Sequence, residues 1–225
     1  MTKGRGRTAA GEASTFPAFS GIPREACTFF ADLAKNNNRE WFQSHKATFE
    51  RACHEPLKAL TVALDPPLGA QRLTRIYKDV RFSKDKSPYH THVSARVSGM
   101  VFWLSADGLY VGTGIYMPDP AALRRLREGI DRDASGQSLA DIVASLRHAG
   151  YTVGSHEAVA TVPRGFSADH ARLELLRMKD IHAGRTLKPA ELSSAAAVAR
   201  VRRVGDDVAP FRAWLRRHVG PTSCA

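Results

Sequence analysis

The sequence contains little cysteine: three residues, Cys27, Cys53 and Cys224, lie far apart. Their odd number and the absence of a Cys-x-x-Cys pair argue against a disulfide framework. Free thiols are typical of a reducing compartment, so we expect a cytoplasmic protein. No apolar run approaches the roughly 18 residues of a membrane span, and the basic N-terminus is not followed by the apolar stretch of a signal peptide. The sequence therefore predicts no membrane partner.

Acidic residues are also scarce relative to basic ones. The chain has 22 aspartates and glutamates against 33 lysines and arginines, which gives a formal net charge of +11. A balance of this kind favours anionic partners, which include nucleic acid, nucleotides, other anionic small molecules such as phosphorylated metabolites, and acidic proteins. Arginines that only solvate the surface are the alternative explanation. The sequence does not predict an oligomeric state.

Several motifs of known chemistry are missing. There is no phosphate-binding GxxxxGK[ST] loop, and Gly112-Thr113-Gly114 lacks the third glycine of a dinucleotide fingerprint. No serine or cysteine lies in a nucleophile signature. His90 and His92 would share one face of a strand, but no third ligand follows at a fixed spacing. We therefore predict no metal site and assign neither a cofactor nor a catalytic residue.

The length and the hydrophobic pattern predict a single folded domain. We expect a disordered basic tail over 1–15, one domain over 16–220 and a short tail over 221–225. The fold class is α+β, with a central, largely antiparallel sheet packed by N- and C-terminal helices. The predicted elements are a helix from Pro23, a helix capped by Asn38 and interrupted near Pro56, strands over Thr74–Phe82 and Tyr89–Val97, a hairpin over Val101–Met117, helices from Pro118 and Ser138, an edge strand over 180–187, and helices over Pro189–Val204 and Val208–Val219.

The most distinctive stretch is RIYKDVRFSKDKSPY, which begins at Arg75. Strand alternation would place Arg75, Tyr77, Asp79 and Arg81 on one face, about 7 Å apart at each second residue. Six basic residues lie between Arg72 and Lys86, against two acidic ones. The candidate ligand-binding residues are Arg75, Lys78, Asp79, Arg81, Asp85, Lys86 and Tyr89. In the leading interpretation the cations bind an anionic, phosphate-bearing small molecule, Asp79 orients the arginines and Tyr89 donates a hydrogen bond.

Three other interpretations of this stretch stay open. Asp79 or Asp85 could serve an enzyme acting on a phosphate ester or nucleotide, as acid, base or metal ligand. The whole basic surface could bind nucleic acid. Alternatively, the charges form a purely structural and partly buried network, in which Asp79 accepts hydrogen bonds from Arg75 and Arg81 and clamps the strand to the loop. This last interpretation predicts a large loss of stability when Arg81 is replaced by alanine.

The same stretch resembles an uncharacterised bacterial family, domain of unknown function 2461. The family signature is Arg-x-x-Arg-Asp-x-Arg-Phe, a short spacer, Asp or Asn, Lys, two residues and Tyr. Its matches here are Arg75, Asp79, Arg81, Phe82, Asp85, Lys86 and Tyr89. Lys78 stands where the family has arginine, so the charge is kept but a bidentate contact is lost. Asn37–Phe42, Gly114–Pro118 and 163–166 also resemble the family. The resemblance covers most of the chain after residue 15 and implies no known activity.

Overall fold

The computed structural model describes residues 18–64, 73–81 and 84–220. The two predicted tails, 1–15 and 221–225, lie outside the described residues, as does Phe82 of the motif. Within the described ranges, no helix combines the length and the apolar character needed to cross a membrane.

A five-stranded antiparallel sheet forms the centre of the fold. Its strands are β1 (His92–Val97), β2 (Met100–Ser105), β3 (Gly108–Ile115), β4 (Thr152–Gly154) and β5 (Ile181–Leu187). They lie in the order β1-β2-β3-β5-β4, which confirms the α+β class. The prediction of an edge strand over 180–187 is wrong in position. β5 is internal, because β3 pairs with one side of it and the short β4 with the other.

Helices precede, interrupt and follow the sheet. They are α1 (Arg24–Lys35), α2 (Arg39–Thr48), a π-helical segment (Phe49–His54), α3 (Glu55–Leu64), α4 (Pro120–Asp131), α5 (Asp133–His148), α6 (Leu173–Arg177), α7 (Pro189–Leu192), α8 (Ala197–Asp207) and α9 (Ala209–His218). The helix predicted to start at Ser138 in fact starts at Asp133. The helix predicted over Pro189–Val204 is divided into α7 and α8.

Local signals explain the N-terminal helices. The side chain of Asn38 accepts a hydrogen bond from the backbone N–H of Trp41 at 2.9 Å, which confirms the predicted cap. The predicted interruption near Pro56 takes the form of the π-helical segment directly before it. Proline has no N–H to continue the hydrogen-bond ladder, and a shift to wider turns accommodates that loss.

The predicted hairpin of β2 and β3 forms, and it turns through Ala106 and Asp107. Alternation along the strands gives the sheet two different faces. One face carries buried apolar residues such as Phe102, Leu104 and Val111, and helices α1, α3, α8 and α9 contact these strands. Trp103 and Tyr110 point from the opposite face, which forms an open groove.

The strand predicted over Thr74–Phe82 does not form. One isolated antiparallel bridge joins Tyr77 to Tyr89, and the chain then leaves the ladder. Ile76 is buried, so the alternation predicts the inward residue correctly but not the length of the pairing. The cause is local: the side chains of Asp79 and Asp85 accept hydrogen bonds from the backbone N–H groups of Arg81 and Ser87, and the resulting turns compete with a regular strand.

Candidate functional site

The segment Arg75–Tyr89 is attached to the edge of the sheet beside β1. The backbone N–H of Lys78 donates to the carbonyl of Pro88 at 2.9 Å, and that of His90 donates to the carbonyl of Ile76 at 2.7 Å. Farther along, the N–H of Thr74 donates to the carbonyl of Ser94 at 2.8 Å. These contacts hold the two ends of the segment together, and the described residues between them, 79–81 and 84–87, are exposed or half-buried.

Asp85 organises the turn of this segment. Its carboxylate accepts a hydrogen bond from Nζ of Lys78 at 2.7 Å, from the N–H of Ser87 at 2.9 Å and from the hydroxyl of Ser87 at 2.6 Å. The contact with Lys78, followed by those with Ser87, holds the pKa of Asp85 far below its usual range. An acid that stays ionised throughout the working pH range is poorly suited to proton transfer.

Arg81 and Asp79 form a second, separate pair. Nη2 of Arg81 lies 2.6 Å from Oδ2 of Asp79, and Nε lies 2.9 Å from Oδ1. Hydrogen bonds from the side chain and backbone of Arg81 lower the pKa of Asp79. The two side chains are 77% and 60% exposed. The structure therefore contradicts a buried clamp, and Asp79 does not bring Arg75 and Arg81 together.

The remaining cations of the motif are dispersed. Nζ of Lys86 donates to the carbonyl of Val80 at 3.1 Å, within the segment. Arg75 is exposed and has no ion pair or side-chain hydrogen bond to another described residue. The predicted single face of guanidinium groups is not formed, because the regular strand on which it depended is absent.

Tyr89 has a structural position. The ring is buried and stacks on Phe42, with 4.2 Å between ring centroids. Burial, followed by the nearby Tyr77, raises the pKa of its hydroxyl. The prediction that Tyr89 contacts a bound anion is not supported by this placement, since its ring belongs to the core.

A groove of about 560 Å³ lies on the open face of the sheet. Two aromatic residues in its wall are unusually exposed for their size, Trp103 at 40% and Tyr116 at 47%. The ring of Tyr110 lies across the floor, directly over Gly112 and Gly184. If Gly112 carried a Cβ atom, that atom would lie 2.7 Å from Cζ of Tyr110, and a Cβ atom on Gly184 would lie 2.6 Å from the same carbon. Both distances are too short, so only glycine at these positions leaves space for the ring.

Three histidines face the same groove. His92 stacks on Trp103, with 5.1 Å between centroids, and the rings of His156 and His182 lie 4.6 Å apart. Burial, then the neighbouring His90 and Lys78, lowers the pKa of His92. Lys78 lies in the motif segment, whose backbone hydrogen bonds beside β1 place it at one end of the groove.

The carboxylate of Asp180 joins two of these histidines. Oδ1 of Asp180 lies 2.9 Å from Nδ1 of His156 and 3.8 Å from Nδ1 of His182. Burial alone would raise the pKa of Asp180, but hydrogen bonds from the backbone and ring of His156 outweigh it, so the pKa is lowered. Burial, then His156, lowers the pKa of His182.

Sequence reasoning missed the groove and these three residues. It singled out His90 and His92, whose rings lie 5.3 Å apart, but not His156 or His182. One signal was available: Asp180 and His182 are two residues apart, where an internal strand begins. A polar pair with period two at the start of a buried strand indicates side chains that share a face.

These features define an α+β protein with an aromatic and histidine-lined groove on one face of its sheet. Residues 25–214 match the family described as conserved hypothetical protein (DUF2461), and the chain belongs to this family. No curated protein and no solved structure matches the chain.

Proposed function

We propose that the protein binds a small molecule with a flat apolar part and a negatively charged group, and that the ligand lies in the groove on the open face of the sheet. The observation that carries the proposal is the exposure of Trp103 and Tyr116 inside one concave surface. Large aromatic side chains are usually covered in a folded chain, so their exposure in a groove is informative.

The size and chemistry of the groove support a ligand of this kind. A volume of about 560 Å³ falls within the range of small-molecule sites, which combine apolar walls with a few polar groups. Trp103, Tyr110 and Tyr116 offer ring faces for a planar group. His92, His156 and Arg96 add polar groups along the same surface.

A preference for negative charge follows from the neighbouring segment. Between Arg72 and Lys86 the basic residues outnumber the acidic ones by six to two. Backbone hydrogen bonds of Lys78 and His90 hold this segment beside β1, so its basic residues lie near the β1 end of the groove. We infer that the charged group of the ligand lies at the β1 end and its flat part lies over Trp103.

Binding of nucleoside monophosphates and of the matching uncharged nucleosides tests both parts of the proposal. By isothermal titration calorimetry, the monophosphates should bind more tightly. Replacing Trp103 with alanine should weaken binding about tenfold or more, which corresponds to about 1.4 kcal/mol of lost contact. Tyr77→Ala is the matched control, because Tyr77 is an exposed aromatic residue outside the groove. Equal weakening by both substitutions, or no preference for the charged compounds, would contradict the proposal.

A second candidate is anion binding on the motif segment itself, as the sequence predicts. Arg75 and Lys84 favour it, because both are exposed and neither has an ion pair with a described residue. The Arg81–Asp79 pair is exposed as well, and exposed pairs exchange partners at little cost. In a titration with inorganic phosphate, the double variant Arg75→Ala, Lys84→Ala should bind less than wild type, while Lys46→Ala should not. Equal binding by all three proteins would exclude this candidate.

Nucleic-acid binding stays a prediction of the overall charge. It requires an affinity for duplex DNA that falls with salt, with a log-log slope of roughly −0.9 for each phosphate contacted. Fluorescence anisotropy over a salt series measures this slope. Weak binding that does not respond to salt would rule out this function.

A further inference from the structure

The geometry points to a metal site: we propose that His156, Asp180 and His182 bind one divalent transition-metal ion in the wall of the groove. The three side chains come from two places in the chain, His156 from the loop after β4 and the other two from the start of β5. One ligand atom from each can be chosen so that all three lie within 4.8 Å of one another.

The distances are close to those that an ion needs. Nδ1 of His156 and Oδ1 of Asp180 are 2.9 Å apart, and Nδ1 of His182 lies 3.8 Å from the same oxygen. Ligand atoms bound at about 2.1 Å in a tetrahedral arrangement are separated by about 3.4 Å. The first pair is about 0.5 Å closer than this and the second pair about 0.4 Å farther apart, so small movements of the two rings bring both pairs to the spacing.

The carboxylate is already held in place. Asp180 is only 4% exposed, and the backbone N–H groups of His156 and Glu157 donate to its two oxygens at 3.0 and 3.3 Å. Outer contacts of this type orient a metal ligand and limit its movement. A buried carboxylate needs positive charge nearby, which a cation would supply.

His182 provides an independent observation. Its Nδ1 atom is buried, yet it has no hydrogen bond within the part of the chain that the structure describes. Buried polar atoms are nearly always satisfied, so an orphaned ring nitrogen that points toward a carboxylate calls for an explanation. A metal ion between His182 and Asp180 satisfies both groups.

The ligand set indicates the class of ion. Two imidazoles and one carboxylate suit zinc or iron(II), whereas magnesium and calcium prefer oxygen ligands. Three protein ligands leave at least one position open. The rings of Tyr116 and Trp103 lie 5.1 and 6.4 Å from that of His156, so the open position would face the groove and its contents.

Another group of suitable residues serves as an internal comparison. Glu50, His54 and Glu55 also lie within reach of one another, and Nδ1 of His54 is likewise buried without a hydrogen bond among the described residues. The difference lies in the carboxylates, because both glutamates are exposed whereas Asp180 is buried. Exposed acidic groups are common without any ion. This group therefore supplies the control substitution His54→Ala.

The test uses the full chain without an affinity tag, freed of metal by chelation and then titrated with zinc chloride in a calorimeter. We expect one ion per chain. His156→Ala and His182→Ala should each weaken binding by at least about tenfold, since even outer-shell changes have effects of this size. His54→Ala and His148→Ala should bind as wild type does. Visible absorption of the cobalt(II) form reports the same site independently.

Two results would overturn the proposal: no stoichiometric zinc binding, or binding that survives both groove substitutions. His156 is exposed, so His156→Ala keeps the test valid if His182→Ala fails to fold. Magnesium and calcium should not displace zinc, and displacement by either would contradict the assigned ion class. The metal site lies in the same groove as the proposed ligand site. Zinc binding is measured without any organic ligand, so the metal proposal and the ligand proposal can each fail independently of the other.

Discussion

The side-chain amide of Asn37 holds the backbone of Tyr89 at both of its polar atoms: Nδ2 donates to the carbonyl at 2.9 Å, and Oδ1 accepts from the N–H at 3.1 Å. Asn37 lies between α1 and α2, so this contact ties the N-terminal helices to the end of the motif segment. Stacking of Phe42 on Tyr89 reinforces the connection. The two parts of the family resemblance, around residues 37–42 and 75–89, are therefore in direct contact.

Replacing Asn37 with alanine should destabilise the protein. Two partly buried backbone groups lose their partners, and we expect a decrease of about 1–3 kcal/mol in the free energy of unfolding. Urea denaturation measures this change. Asn36→Ala is the control, because the Asn36 side chain makes one exposed hydrogen bond, to the carbonyl of Asp32. A decrease of similar size in the two variants would show that the contact with Tyr89 is not special.

Local signals explain which parts of the fold are predictable. The cap at Asn38 and the hairpin of β2 and β3 depend on residues close together in the sequence, and both are predicted correctly. The strand over Thr74–Phe82 is not, because alternation cannot reveal that Asp79 and Asp85 form turns of their own. The prediction that Ile76 points inward is still correct, because a single apolar side chain can be buried without the rest of the strand forming.

The site is less predictable than the fold because long-range pairing assembles it. Gly112 pairs with Gly184 across β3 and β5, and His182 enters the groove through the same pairing. Nothing local to either strand specifies that partner. For the motif, the sequence identifies a cluster of charged residues. It does not reveal how they pair, with Lys78 on Asp85 and Arg81 on Asp79.

Arg81→Ala should leave the midpoint of denaturation unchanged. The ion pair of Arg81 with Asp79 is exposed and solvent screens it. Arg172→Ala is the comparison, because the side chain of Arg172 is only 11% exposed and donates to the carbonyls of Ile130 and Asp131. Its loss should lower the free energy of unfolding by about 2–3 kcal/mol. A large effect of Arg81→Ala would restore the structural interpretation of the motif.

Gly184→Ala should destabilise the sheet by about 1–3 kcal/mol, because the new methyl group overlaps the ring of Tyr110 and the carbonyl of Val111. Gly205→Ala should have the opposite effect. Gly205 lies in helix α8, and a methyl group there would meet no described atom within 4 Å beyond the helix's own backbone and its chain neighbours. Alanine should therefore stabilise the helix by about 0.5–1 kcal/mol. Thermal denaturation of both variants checks the two signs, and a stabilising Gly184→Ala would show that the groove floor has spare room.

Tyr151 should make stability fall at high pH. Burial, then the hydrogen bond that its hydroxyl donates to Asp207 at 2.6 Å, raises its pKa to about 12 from an ordinary value of 10.0. The folded state therefore keeps the proton more tightly than the unfolded state does. This contribution to stability is complete below pH 10 and is lost as the pH rises toward 12.

The variant Tyr151→Phe isolates that effect. The free energy of unfolding is measured by guanidinium denaturation at a series of pH values. Above the ordinary tyrosine pKa, it should fall more steeply with pH for the wild type than for Tyr151→Phe. Tyr89, whose pKa is also raised, is unchanged in both proteins and cancels in the comparison. Parallel pH profiles would mean that Tyr151 titrates equally in the folded and unfolded states.

The pairing of Leu109 with Leu187, at one end of the β3–β5 ladder, has a consequence for the order of events during synthesis. While the ribosome is still translating the second half of the chain, the hairpin of β2 and β3 has no β5 to cover its free edge. The aromatic residues of the groove are then present without His182, the one imidazole that β5 contributes. The groove therefore has its complete set of side chains only after β5 has emerged and paired with β3.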